Sequence, residues 1–329
     1  MNRQDDNELR RLGEFGFIEA FTRTLRLGHD VELGPGDDCA VVRVTTGELL
    51  LSSDASIEDV HFRRSWGARN IGWRAMASAL SDIAAMGGEP LAVLASAALP
   101  ADLPDGFATE MCAGLAEAAE AVHATLVGGD IVRSPSRIFI DVLVTGIPQS
   151  GRLLTRDAAR PGDLIALSGW PGLSAAGIAA LERNIALPDS VRNATLRPVP
   201  RIQLGRALTA IDGVHGAIDL SDGLLQDLGH IARRSGVRLL LESRLLPVSR
   251  DLLVLCESLG MPALDYVLTG GEAYELAVTL SPETWDAVSR AASQCGIPLR
   301  CIGTVDEGTP EVLIDGKKPS IPTGFDHFI

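Results

Sequence analysis

The chain has 329 residues and a mass of 34.7 kDa, enough for about two domains at ~150 residues each, and 46% hydrophobic residues supply sizeable cores. Its 43 acidic and 29 basic residues leave a formal charge of −14, which argues against a nonspecific grip on the nucleic-acid backbone. Of the bases 27 are Arg, and Lys317 and Lys318 are the two lysines, so no Gly-x-x-x-x-Gly-Lys-Ser/Thr phosphate loop and no kinase-type strand lysine is available; any phosphate must be met by Arg, backbone N–H groups, helix N-termini or metal ions held by aspartate.

Leu9, Leu12, Phe15, Ile18, Phe21 and Leu25 recur at spacings of three and four and predict a helix over 8–27. A glycine-rich acidic loop, Leu33-Gly34-Pro35-Gly36-Asp37-Asp38, comes next, and β-like runs over 39–44 and 49–51 around Thr46-Gly47 predict a hairpin. There follow a helix over 69–86, a buried strand over 90–98, an Ala-rich helix over 107–122 and strands over 124–127 and 137–147. Turn-forming Pro148-Gln149-Ser150-Gly151 reads as a linker, dividing the chain into domains 1–149 and 150–329. The second half predicts a strand over 163–168, helix 172–184, strand 216–220, helix 223–234, strands 237–242 and 274–280, helix 283–294 and strand 299–304. The five cysteines are scattered with no Cys-x-x-Cys pair, so neither a disulfide framework nor a structural zinc is expected. The first residues are polar and acidic and no apolar run approaches ~18 residues, so the expected compartment is the cytoplasm.

Acidic segments recur beside apolar stretches: Gly36-Asp37-Asp38, Ser52-Ser53-Asp54, Ser81-Asp82, Gly128-Gly129-Asp130 and Asp219-Leu220-Ser221-Asp222. Any one Ser-Asp pair taken alone reads first as a helix cap, and the loops could equally mark solvated turns. Taken jointly at strand ends, such carboxylates repel one another unless a cation sits among them, and magnesium, which takes carboxylate and phosphate oxygens, is the natural candidate. No EF-hand loop is present. Gly128-Gly129 would admit a nucleotide close to the backbone, and Gly169-Trp170-Pro171-Gly172 opens a helix whose dipole favours an anion, although glycine at a helix turn is as common without a ligand. The six histidines do not cluster, and no Ser-His-Asp order is recognisable.

Seven motifs in chain order carry a resemblance: Gly36-Asp37-Asp38-Cys39-Ala40; Ser53-Asp54 with Glu58-Asp59-Val60-His61-Phe62; Ser81-Asp82-Ile83-Ala84-Ala85-Met86-Gly87; Val127-Gly128-Gly129-Asp130; Asp219-Leu220-Ser221-Asp222-Gly223-Leu224; Gly270-Gly271-Glu272; and Phe325-Asp326-His327-Phe328. From about residue 12 to its end the chain resembles the thiamine-monophosphate kinase family, within the superfamily of aminoimidazole ribonucleotide synthetase. The resemblance implies an N-terminal α/β domain whose strands pair with those of a second subunit, a C-terminal α+β domain, and a homodimer with ATP between the domains. It implies transfer of phosphate from ATP to thiamine monophosphate, giving thiamine diphosphate, with several magnesium ions. Carried over by position, Asp38, Asp54, Asp82, Asp130, Asp219 and Asp222, helped by Ser52 and Ser53, are expected metal ligands; Gly129, Asp130, Arg156 and Ser221 are expected ATP contacts; His61, Glu272 and Phe325 are expected contacts to the thiamine phosphate. No general base is expected, because a phosphate acceptor with a second pKa near ~6 is already an oxyanion at neutral pH, and direct in-line transfer is the expected route. Ala273 departs from the family's Gly-Gly-Glu-Asp-Tyr-Glu-Leu and is expected to alter affinity, not chemistry. Another ATP-dependent synthetase of the superfamily, or a nucleotide-binding protein without catalysis, stays open at this stage.

Overall fold

Short apolar runs alternating with Ala-rich periodic segments give the first half of the chain an α/β layer, and the second half a larger mixed sheet with helices. The structure, a computed structural model, describes residues 20, 22–26, 28–29, 31–33, 41–42, 49–149, 152–321 and 324. Two units are distinct: Met1–Ile83 with Glu89–Ile147, and Ala84–Gly88 with Pro148–Ile329. Most of the helix expected over 8–27 lies outside the described residues, as do Asp38 and Phe325.

In the first unit β1 (Val31–Leu33) pairs antiparallel with β2 (Val41–Val42). β3 (Leu50–Ile57), β4 (Gly88–Pro100), β5 (Thr125–Ser134) and β6 (Phe139–Pro148) form a sheet in the order β3-β6-β4-β5. The expected hairpin joining 39–44 to 49–51 is therefore not what forms among the described residues: Val41 and Val42 pair backward to Val31–Leu33, and β3 takes β6 as its partner, which buries Ile140, Val142 and Val144. β4 and β5 run parallel, so their connection must cross over, and α2 (Phe107–Glu120) supplies the crossover.

α1 (Ala68–Ala85) precedes β4 and lays Ile83 against Gly146 of β6. Its approach to α2 is close enough that two glycines are required reciprocally. A Cβ on Gly72 would stand 1.9 Å from the carbonyl oxygen of Met111, and one on Gly114 1.9 Å from that of Arg69. β5 continues well past the strand expected over 124–127. Gly128 and Gly129, expected to end it, instead lie in register with Leu94 and Ala95 of β4.

The second unit is built on β7 (Leu164–Ser168), β8 (Val214–Asp219), β9 (Arg238–Leu241), β10 (Leu276–Leu280), β11 (Leu299–Asp306) and β12 (Glu311–Ile314), in the order β12-β9-β11-β7-β10-β8. Every described pairing in it is antiparallel except β12 with β9. All five residues of β10 are buried, so its mostly apolar sequence, Leu276-Ala277-Val278-Thr279-Leu280, shows no in-out alternation. Helices α3 (Leu173–Glu182), α6 (Leu224–Ser235), α7 (Arg250–Leu259) and α8 (Ala263–Thr269) enclose a core containing Ile165, Leu167, Ile218, Leu228, Ile231 and Val267. α4 (Asp189–Leu196), α5 (Ile202–Thr209) and α9 (Trp285–Gln294) complete the helices. α4, α5, α7, α8 and β12 are not among the elements expected from the sequence. Among the described residues no single helix is long and apolar enough to cross a membrane.

The α1–α2 crossing yields a test. Gly114→Ala gains about 1 kcal/mol of helix propensity, but its Cβ meets backbone, which cannot rotate aside, and overpacking of this kind costs about 1–3 kcal/mol. Sterics should win, and the urea midpoint of the variant should fall; a raised midpoint would show that the two helices separate freely.

Candidate active site

β3 is an edge strand, and its burial alternates along its length. Ser52 and Asp54 lie opposite Val144 and Val142, on the face that α1 covers, while Ser53 is exposed on the other face. Ser52 Oγ donates to Asp82 Oδ2 in the last turn of α1. That position is informative: Ser81 and Asp82 sit inside the helix and cap nothing, and a carboxylate in a last turn opposes the helix dipole at a cost of about 0.3–1 kcal/mol, with no basic residue in that turn to offset it. Ser53 Oγ instead donates to Asp141 Oδ1 at 2.9 Å. Ser52, Asp54 and Asp82 thus share a face that Ser53's side chain does not.

Past the end of β3 the chain turns through Asp59, at φ 69, and Ile57 N–H donates to His61 Nδ1 at 3.0 Å. His61 is thereby fixed as the tautomer with its proton on Nε2. Asp130 and Gly129 are exposed in the middle of β5, the other edge of the sheet, and not in a loop beyond a strand end. A Cβ on Gly129 would stand 1.7 Å from the carbonyl oxygen of Ala95, so strand contact alone demands glycine there.

In the second unit Asp219 ends β8 and is only 2% exposed. Ser221 is exposed, and Asp222 receives Gln226 Nε2 at 3.1 Å on Oδ2. Asp227, to which the sequence reading gave no role, accepts from Gly223 N–H at 3.0 Å and Asp222 N–H at 3.3 Å through Oδ2. Burial, reinforced by the charge of Asp219, pushes the Asp227 carboxyl up to about 8. Its spacing of five from Asp222, at the first turn of an apolar helix, was the available signal.

The turn at 270–274 is laced to this acidic loop. Glu272 N–H donates to Ser221 O at 2.7 Å, Ala273 and Tyr274 N–H donate to Leu220 O at 3.1 and 2.8 Å, and Leu220 N–H returns to Glu275 O at 2.8 Å. Asp219, Ser221, Asp222 and Glu272 are thus brought onto adjoining turns. The lacing holds Glu272 and Tyr274 at φ 57 and 52, left-handed conformations that cost a residue with a side chain about 1–2 kcal/mol each.

Glu275, also unassigned from sequence, is buried and ion-paired: Arg201 Nε donates to its Oε2 at 2.7 Å, Arg201 Nη2 to its Oε1, and Ser168 Oγ to its Oε2 at 2.5 Å. Burial works against the Arg201 charge, but the charge and hydrogen bonds of Glu275 hold the guanidinium above its ordinary value. The carboxylate fills the space beside Gly169, at φ 61, where a Cβ would lie 1.7 Å from Oε1. The glycine motif 169–172 therefore seats the protein's own carboxylate.

Arg156 is exposed, and its carbonyl accepts from Ser235 Oγ at 2.9 Å at the end of α6. Burial first, then the charges of Arg233 and Arg156, hold His230 on that helix below its ordinary value. A cavity of about 530 Å³ opens along α6, lined by Gln226, His230 and Arg233 and by Glu311 and Lys318. Among the described residues no three His, Cys, Asp or Glu side chains stand where one ion would reach them all. Ser52, Asp54, Asp82 and Asp130 belong to the first unit, Asp219 and Asp222 to the second.

Residues 36–148 match the AIR synthase related protein, N-terminal domain, and residues 160–316 the AIR synthase related protein, C-terminal domain. The thiamine-monophosphate kinase of Haemophilus influenzae is 35% identical over 96% of this chain and 98% of its own, and that of Aquifex aeolicus 36% identical over 97% and 99%. The chain belongs to the thiamine-monophosphate kinase family. The solved structure of the family member from Stenotrophomonas maltophilia K279a has a TM-score of 0.81 at 33% identity, covering 94% of this chain and 96% of that one. A structure of AaThiL complexed with AMPPCP and TMP has a TM-score of 0.78 at 35% identity, covering 98% and 99%. The hydrogenase maturation protein HypE, at 20% identity and a TM-score of 0.75, shares the fold. As a member of a kinase family this protein is an enzyme, with an N-terminal α/β unit and a C-terminal α+β unit.

The elevated Asp227 value fixes the sign of a pH dependence. Its folded value lies above the unfolded 3.8, so stability is complete at low pH and is lost as pH rises through about 8. Asp227→Asn keeps an acceptor oxygen and removes that loss. With divalent ions chelated, the fall in urea midpoint from pH 5 to pH 9 should be larger in the parent enzyme by the equivalent of a few kcal/mol; identical falls would show that Asp227 ionises freely.

Proposed function

We propose that the enzyme transfers the terminal phosphoryl group of ATP directly to thiamine monophosphate, giving thiamine diphosphate and ADP, with magnesium as cofactor and in the cytoplasm. End-to-end identity of 35–36% to thiamine-monophosphate kinases carries this reading, and the AaThiL complex with AMPPCP and TMP supports the pair of substrates.

The donor set suits magnesium. Carboxylates and hydroxyls are hard oxygen ligands, and Asp82 stands in the last turn of α1, where the helix dipole disfavours a negative charge. Asp38, Ser52, Ser53, Asp54, Asp82, Asp130, Asp219 and Asp222 are the proposed ligands; the side chains of Ser53 and Asp130, on the sheet face turned from Ser52 and Asp54, fit that set least well. When bound, magnesium supplies charge neutralisation between two polyanionic substrates.

The chain's own residues do the rest. Arg156, Ser221 and the backbone at Gly129 and Asp130 are proposed to hold ATP. His61, with Nδ1 committed to Ile57 N–H, is proposed to offer its Nε2 proton as a donor to the acceptor phosphate, and Glu272 and Phe325 to orient the thiamine moiety. A phosphate oxyanion needs no base to attack, so positioning and electrostatics carry the transfer.

We also propose a homodimer formed through the first unit. The sheet face turned from α1 and α2 leaves Leu51 67%, Val132 52%, Leu94 41% and Phe139 39% exposed, a set of apolar side chains that a second copy would cover.

Incubation with ATP, magnesium and thiamine monophosphate should give thiamine diphosphate by chromatography. Asp54→Asn and Asp222→Asn should each lower turnover by about 10²-fold or more with melting temperature unchanged. No product from the parent enzyme, or product only with an acceptor unrelated to thiamine, would reject the reading in favour of another synthetase. Sedimentation should show a dimer that Leu51→Asp with Val132→Asp converts to monomer; an unchanged sedimentation coefficient would place the interface elsewhere.

A further inference from the structure

The turn that carries Glu272 holds two non-glycine residues, Glu272 and Tyr274, in left-handed backbone conformations. A conformation of that kind persists only where surrounding structure over-determines it. Here the restraints converge on Glu275. Its carbonyl accepts Leu220 N–H at 2.8 Å, and its carboxylate takes two arms of Arg201 and the hydroxyl of Ser168. The same hydroxyl accepts Leu276 N–H at 2.9 Å, so the Ser168 side chain ties the end of β7 to the start of β10, while the Glu275 carbonyl reaches Leu220 just past β8. Gly169 leaves the space in which the carboxylate sits. Arg201 reaches it from the residue just before α5, 74 positions away in sequence.

We propose that Glu275 and Arg201 are positioning residues for the acceptor substrate: their ion pair sets the 270–274 turn and so the placement of Glu272 against the Ser221-Asp222 loop. The proposal rests on Glu272 being an acceptor contact. Neither residue of the pair touches substrate; both act through the turn. A merely structural pair would behave differently. Removing one partner leaves a buried charge uncompensated, whereas replacing both with apolar residues of similar volume is often neutral for stability. The double replacement therefore separates stability from positioning.

The test compares Glu275→Leu/Arg201→Met and Arg201→Lys with the parent enzyme, by melting temperature and by separate KM values for thiamine monophosphate and magnesium-ATP. The double variant should melt close to the parent, yet its KM for thiamine monophosphate should rise about tenfold while that for ATP stays within about twofold, since a displaced contact costs alignment. Arg201→Lys keeps the charge and loses the two-armed grip; it should fold and raise the same KM by roughly threefold, which decides the matter if the double variant does not fold. An unchanged acceptor KM in the folded variants, or an equal rise in both KM values, overturns the proposal. Failure of the parent enzyme to form thiamine diphosphate is seen before any substitution; it rejects the functional reading and this inference with it.

Discussion

The pairing of β8 with β10 is the constraint on which the second unit's chemistry depends. Leu276 lies opposite Asp219 where the two strands meet, and backbone bonding continues beyond that point, through Leu220 and Ser221 to residues 272–275. Two loops that would otherwise move independently are thereby one rigid piece. Burial first, and then the charge of Asp219, push the Asp227 carboxyl up to about 8 at this place. The acidic loop is held from the backbone by the 272–275 turn and from α6 by the side chains of Asp227 and Gln226, which bond Asp222 and Gly223.

The same division recurs in the first unit. Close backbone contact between α1 and α2, and between β5 and β4 at Gly129, makes a stiff layer from which Ser52, Asp54 and Asp82 project. Asp54 and Asp130 sit on the edge strands β3 and β5, where charge also discourages further strand addition. Arginine carries nearly all of the positive charge in both units, and at Glu275 its planar fork does what lysine would not, holding both carboxylate oxygens in a fixed orientation.

Much of this was legible in the sequence. The Ala-rich periodicity of α1 and α2 and the apolar run of β10 placed those elements within a few residues, and the order of the acidic motifs led to the family that the comparisons show. The unassigned helices are short, but α7 carried a readable frame: Ser249 Oγ accepts Leu252 N–H at 3.1 Å at its start, and Gly260 at φ 69 ends it. The faces of the site were not legible. Whether Ser53 joins Ser52 and Asp54 depends on which side of an edge strand packs against α1, and that register is settled by β6, some ninety residues away. Gly129 and Gly169 looked like ligand cradles because a glycine shows only that space is needed, not what fills it; Ala95 and Glu275 fill it.

The resemblance implies a carboxylate at position 273, where this chain carries Ala273, and the structure bears on what that difference costs. Ala273 spends its N–H on Leu220 O, and its side chain is partly buried against the hydrophobic core. The backbone of the turn is thus fixed by bonds that any residue other than proline makes, and by Glu275 two positions on. An aspartate at 273 is not needed to shape the turn, so its replacement leaves Glu272 where the lacing puts it. An apolar methyl against the core is, if anything, the less costly occupant, since a carboxylate there would lose hydration without a described partner to replace it. The departure is therefore absorbed locally, and its effect falls on whatever that carboxylate would have contacted outside the turn.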